Sequence, residues 1–108
     1  NAGTNMFVAK LDSDGNWVWA VSAGSSGAND FGNGIATFTD GSSVVTGCYQ
    51  SSSITFGSTT LTNTYAGYYD IFVAKLDSNG NWIWAVDARG SDSDYSNGIA
   101  TLTDGSSV

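Results

Sequence analysis

Phe72-Val73-Ala74-Lys75-Leu76-Asp77-Ser78-Asn79-Gly80-Asn81-Trp82-Ile83-Trp84-Ala85-Val86 nearly copies Phe7-Val8-Ala9-Lys10-Leu11-Asp12-Ser13-Asp14-Gly15-Asn16-Trp17-Val18-Trp19-Ala20-Val21, at an offset of 65 residues. A second pair of blocks, Asn33-Gly34-Ile35-Ala36-Thr37 and Asn97-Gly98-Ile99-Ala100-Thr101, is offset by 64, so one residue is lost between the blocks. A long period that tolerates a deletion marks a structural repeat. A unit of this kind cannot bury its apolar face alone, so the chain reads as part of a stack or ring of similar units.

Within each copy the pattern is that of strands. Phe7, Ala9 and Leu11 alternate with Val8 and Lys10, and Ile71 to Leu76 repeats them; the aromatic and β-branched content favours a strand over a helix. Asp12-Ser13-Asp14-Gly15-Asn16 and Asp77-Ser78-Asn79-Gly80-Asn81 carry the Asp-Gly or Asn-Gly step of a tight hairpin turn. The returning strands start at Trp17 and Trp82, and period-two spacing predicts both Trp rings of a copy on one face, opposite Val18 or Ile83. A second hairpin runs from Ile35-Ala36-Thr37-Phe38-Thr39 through Asp40-Gly41-Ser42 to Val44-Val45-Thr46-Gly47-Cys48-Tyr49, and Asp104-Gly105-Ser106 repeats its turn. Ile54 to Phe56 and Thr60 to Thr62 are predicted as an extra strand and a short return. No segment has a helical period.

The second copy stops at Val108, which aligns with Val44, inside a strand. The expected organisation is therefore a first repeat over 1–65 and a truncated second over 66–108, excerpted from a longer polypeptide or completed by other copies. The fold class expected is all-β: propeller-type repeats of about 65 residues in four-stranded antiparallel blades, since a propeller accommodates paired hairpins and a parallel β-helix does not. Blades pack on both faces, which Phe7/Val8 and Val44/Val45 satisfy. A ring needs at least four blades, so this chain does not close one alone.

Composition narrows the partners. The net charge is −7, with 3 basic residues against 10 acidic ones, all Asp. No basic patch exists to neutralise phosphates, so nucleic acid and anionic membrane surfaces are not expected as partners. No apolar run is long enough to span a bilayer, and no signal peptide is recognisable. The single Cys48 forms no disulfide framework within the chain and reads as a buried, inert thiol. Abundant Ser, Thr, Gly and Asn with few long charged side chains fits a protein outside the cell or at its surface.

Asp70-Ile71-Phe72-Val73-Ala74-Lys75-Leu76-Asp77, Gly80-Asn81-Trp82-Ile83-Trp84, Asn97-Gly98-Ile99-Ala100 and Val45-Thr46-Gly47 resemble the bacterial β-propeller repeat known as the SBBP repeat. Ile54-Thr55-Phe56-Gly57-Ser58-Thr59-Thr60-Leu61-Thr62 resembles the linker common in that family. The resemblance covers nearly the whole chain and implies a propeller fold in a large secreted or cell-surface protein. It implies no catalytic residues, because the shared positions are turns and core. Asn5-Met6 stands where the second copy has Asp70-Ile71, a departure within the pattern.

Few residues carry candidate chemistry. Asp12-Ser13-Asp14-Gly15-Asn16 has oxygen ligands at alternate positions like a calcium loop, but lacks the downstream bidentate Glu. Turn capping by Asp12, Asp77, Asp40 and Asp104 is the favoured reading. Asp30, Asp92 and Asp94 fall in the loop between hairpins and are the candidates for binding Ca²⁺, or for acid–base work on a glycosidic bond, although a solvated loop is the plainer expectation. The Trp residues fit packing between blades better than sugar stacking, which leaves Tyr68, Tyr69 and Tyr95 as the ligand-facing aromatics. With no His in the chain, neither a Cys–His pair nor a Ser-His-Asp triad is available.

The leading expectation is a non-enzymatic secreted or cell-surface scaffold for adhesion or extracellular assembly, partnered by like repeats in the same or neighbouring chains. A carbohydrate-binding, lectin-like propeller with a glycan at each blade is the alternative, and a hydrolase using Asp92 or Asp94 ranks below both.

Overall fold

The computed structural model describes residues 5–24, 29–63, 67–88, 98–100 and 107–108. These contain eight strands and no helix. Strand β1 (Met6–Leu11) returns as β2 (Trp17–Ala23), β3 (Asp30–Thr37) as β4 (Ser43–Tyr49), β5 (Ser53–Phe56) as β6 (Thr59–Thr62), and β7 (Asp70–Leu76) as β8 (Trp82–Ala88). All pairings are antiparallel. The expected extra strand and short return form the β5–β6 hairpin, turning at Gly57 with φ +59°.

Local chemistry sets the turns. Asp12 accepts hydrogen bonds from the backbone N–H groups of Asp14 and Asn16, both at 2.9 Å, and Asp77 accepts the same pair from Asn79 and Asn81. Gly15 and Gly80 each take φ +85°, whereas no other residue type among the described residues has positive φ. The loops are thus not two-residue turns with both central residues left-handed; Asp14 and Asn79 keep ordinary backbone angles, and only glycine crosses over.

The sheets group the hairpins differently from the sequence repeat. One sheet holds β1 and β2, one holds β5 and β6, and the four-stranded sheet has the order β3-β4-β7-β8. Two hairpins were expected to share a sheet within residues 1–65. Instead β4 pairs with β7 from Ser43↔Leu76 to Tyr49↔Asp70, so this sheet joins the second hairpin of one copy to the first hairpin of the next. Every residue of β4 is buried, and its small and apolar residues on both faces suit a central strand. The period is preserved at its far end: Ala100 and Val108 exchange backbone hydrogen bonds at 2.8 Å, as Ala36 pairs with Val44 one repeat earlier.

A bulge corrects the expected placement of the Trp residues. Register shifts between Lys10 and Leu11, so Lys10 faces Trp19 while Leu11 faces Trp17, and Lys75/Trp84 and Leu76/Trp82 repeat this. Adjacent strand residues point to opposite faces, so each copy sends one Trp to either side of its sheet rather than both to one. The inserted residue is Val18 or Ile83.

The core lies between layers. Met6, Val8 and Ala23 of the β1–β2 sheet cluster with Val45, Tyr49, Phe72, Ala74, Leu76 and Ala85 of the four-stranded sheet, and Ile54 and Phe56 from β5 close the cluster. Phe56 sits 4.9 Å from the ring of Phe72 and edge-on at 4.9 Å to Trp82. Trp19 reaches across, its indole N–H donating to the carbonyl of Ser78 at 3.2 Å in the β7–β8 turn. Gly47 is required at the sheet centre: a Cβ there would meet the carbonyl of Phe31 and come within 2.8 Å of the Phe72 ring.

Candidate functional site: two unmatched faces and an open edge

The residues singled out for chemistry do not converge. Asp30 opens β3 and is fully buried, with the Ser51 hydroxyl 2.8 Å away, so it does not lie in a solvated loop as expected. Its burial follows from pairing with Tyr49 at the end of the four-stranded sheet. Tyr68 is exposed, whereas Tyr69 packs its ring 6.0 Å from that of Phe31, so the two do not form a shared sugar platform. Asp92, Asp94, Tyr95 and Asp104 lie outside the described residues. No three His, Cys, Asp or Glu side chains among the described residues are grouped to hold a metal ion.

Cys48 is free and buried, with the amide of Asn33 at 3.9 Å from its sulfur. Desolvation pushes the thiol above its ordinary value, the Asn33 hydrogen bond opposes this, and the charge of Asp30 adds to it. A thiol so held is a poor nucleophile. Asp40 caps its own turn through the N–H and hydroxyl of Ser42, and those two bonds hold its carboxyl below the ordinary range.

The unusual feature lies in the surface. Phe7 and Leu11 are 71% and 48% exposed, while their copies Phe72 and Leu76 are completely buried in the four-stranded sheet. On the opposite face Met6, Val8 and Ala23 are buried and Trp19 and Val21 half-buried, while Trp84 and Val86, the copies of the latter two, are 39% and 55% exposed. Each sheet of this repeat has two apolar faces, one carrying Phe, Ala and Leu of the first strand, the other carrying the second Trp and Val of the second strand. Inside the chain one such face covers the other. At either side of that pair an apolar face remains exposed.

The strand edges show the same asymmetry. β7 has β8 on one side and β4 on the other, whereas β1 has β2 on one side and no strand on the other among the described residues. A groove runs beside that edge. One stretch, of about 300 Å³, is lined by Phe7, Val8 and Ala9 together with Gly32, Gly34 and Ile35. A second, of about 450 Å³, shares Val8, Ala9 and Ile35 and continues to Leu11 and Ser43. Sequence reasoning found the duplicated blocks but missed this slot, because it needs the knowledge that β4 pairs forward with β7 rather than back with β2. A scan against protein-family models finds no match for the chain, and a search of curated proteins finds none either.

Proposed function

We propose that this chain is a non-enzymatic, propeller-type repeat module, a rigid scaffold for adhesion or extracellular assembly that is completed by further repeats of its own kind. The observation that supports it most is the paired exposure of identical residues: Phe7 against Phe72 and Leu11 against Leu76. A face that is buried in one copy and bare in the other is matched to a partner the duplication itself describes.

In this reading each blade is a four-stranded meander of the β3-β4-β7-β8 kind, with β5–β6 as an inserted hairpin, and β1–β2 is the outer half of the preceding blade. The sequence repeat is one blade long but starts mid-blade. Burying an exposed Phe, Leu or Val side chain contributes about 1.5–3 kcal/mol, so a neighbour covering Phe7, Leu11 and Val86 gains several such terms. An extracellular setting accords with the acidic, hydroxyl-rich composition and with the repeat family that the sequence resembles.

Sedimentation velocity on the whole chain from low to high micromolar concentration tests the reading. Association that grows with concentration is expected. A compact monomer throughout that range contradicts it.

A further inference from the structure

We propose that the slot beside β1 is an acceptor for one added strand of the β4 kind, Ser-Val-Val-Thr-Gly-Cys-Tyr, supplied by another repeat whose β4 edge is not already taken by a strand of the β7 kind. This rests on the repeat-scaffold reading above and specifies its partner, edge and register. β1 and β7 carry the same Phe-Val-Ala-Lys-Leu sequence. The edge of β7 away from β8 is filled by β4 over seven residue pairs. The matching edge of β1 faces a groove.

The choice of edge is also internal to the chain. β2 corresponds to β8, and among the described residues β8 is itself an edge strand, so no strand is called for there. Among the eight described strands, β1 is the one that lacks a neighbour its copy has. Lys10 is no obstacle, because its counterpart Lys75 is paired with Val44 while its ammonium lies 4.7 Å from the centre of the Phe38 ring.

The walls fit a strand. Phe7, Val8 and Ala9 point alternately to opposite faces, yet all three line the groove; it therefore follows the edge of β1 rather than a face. The other wall carries Ile35, which is apolar and exposed. Shifting the β4–β7 register by one repeat sets Ser43 of the incoming strand opposite Leu11, Val45 opposite Ala9, Gly47 opposite Phe7 and Cys48 opposite Met6. Val44, Thr46 and Cys48 then face Ile35, and the Phe7 ring folds over Gly47 as that of Phe72 does now. Thr46 gains the carbonyl of Phe7, as its hydroxyl now donates to the carbonyl of Phe72 at 2.9 Å. Main-chain bonds supply affinity and the glycine supplies selectivity, the usual division in strand addition.

The test uses the intact chain and a labelled peptide spanning Gly41 to Gln50 with Cys48→Ser, followed by fluorescence anisotropy and amide hydrogen exchange. Saturable binding is expected, with new protection confined to the β1 amides that face away from β2. A peptide carrying Gly47→Val should bind roughly tenfold more weakly or worse, since its side chain would enter the space of the Phe7 ring. Binding no better than that of a scrambled peptide, protection at β2 or β8 instead, or indifference to Gly47→Val each overturns the proposal. If the peptide fails while the chain still associates in the ultracentrifuge, the slot is refuted and the scaffold reading stands. Should the peptide bind as described while the chain stays monomeric, the slot is supported and self-assembly falls.

Discussion

Phe7 and Phe72 are one residue type at one repeat position in two environments, so their substitution separates intrinsic propensity from packing. Phe72→Ala removes a fully buried ring that touches Phe56 and should cost about 3–5 kcal/mol in denaturant unfolding. Phe7→Ala, at concentrations where the chain is monomeric, should stay within about 0.5 kcal/mol of the parent. Equal losses would mean that the two copies are packed alike. The turn aspartates make a second residue-level case. Asp12 is held below the ordinary 3.8, chiefly by the backbone N–H of Asn16, and Asp77 likewise by that of Asn81. A depressed folded value means stabilisation that is present above 3.8 and is lost as pH falls through the folded value. Carboxyl titrations by NMR should therefore give midpoints below 3.8 for both, with the turns loosening only in acid; midpoints at or above 3.8 would remove the capping role.

The hairpin is the next scale, and its two turns form a matched control. Gly15 and Gly80 share φ +85°, but a Cβ on Gly15 meets nothing within 4 Å, whereas one on Gly80 comes within 2.7 Å of the Trp19 ring. Gly15→Ala should lose only the left-handed backbone cost of about 1–2 kcal/mol. Gly80→Ala should lose more and alter the Trp fluorescence, because it displaces the indole that holds one sheet to the next; identical losses in thermal melts would deny that contact. These hairpins were legible in the sequence because Asp-Ser-Asp-Gly-Asn and Asp-Gly-Ser are local signals whose hydrogen bonds close within four residues. The opposed Trp pairs were not. A period of two assumes no insertion, and the bulge at Val18 is a property of pairing with Lys10 and Leu11 rather than of β2 itself. Asp30 was misplaced for a related reason: nothing local tells a loop carboxylate from one that a distant Tyr49 and Ser51 bury.

For the whole molecule, the duplication announced repeating sheets but not their phase. Which hairpins share a sheet depends on the β4–β7 pairing across residue 65, a contact between segments that the β5–β6 hairpin separates, and no local rule specifies it. The consequence is a molecule with unlike faces at its two sides, and unlike complementary faces generate head-to-tail, heterologous contacts rather than a two-fold dimer. Such contacts allow complementation between two crippled chains. Phe7→Asp spoils one face and leaves Trp84 intact; Trp84→Asp does the reverse. Sedimentation equilibrium of each variant alone and of their equimolar mixture is the most direct measurement: neither variant should associate alone, while the mixture should form a heterodimer and stop there. A mixture that stays monomeric, or either variant associating as the parent does, would show that the bare faces are not partners for one another.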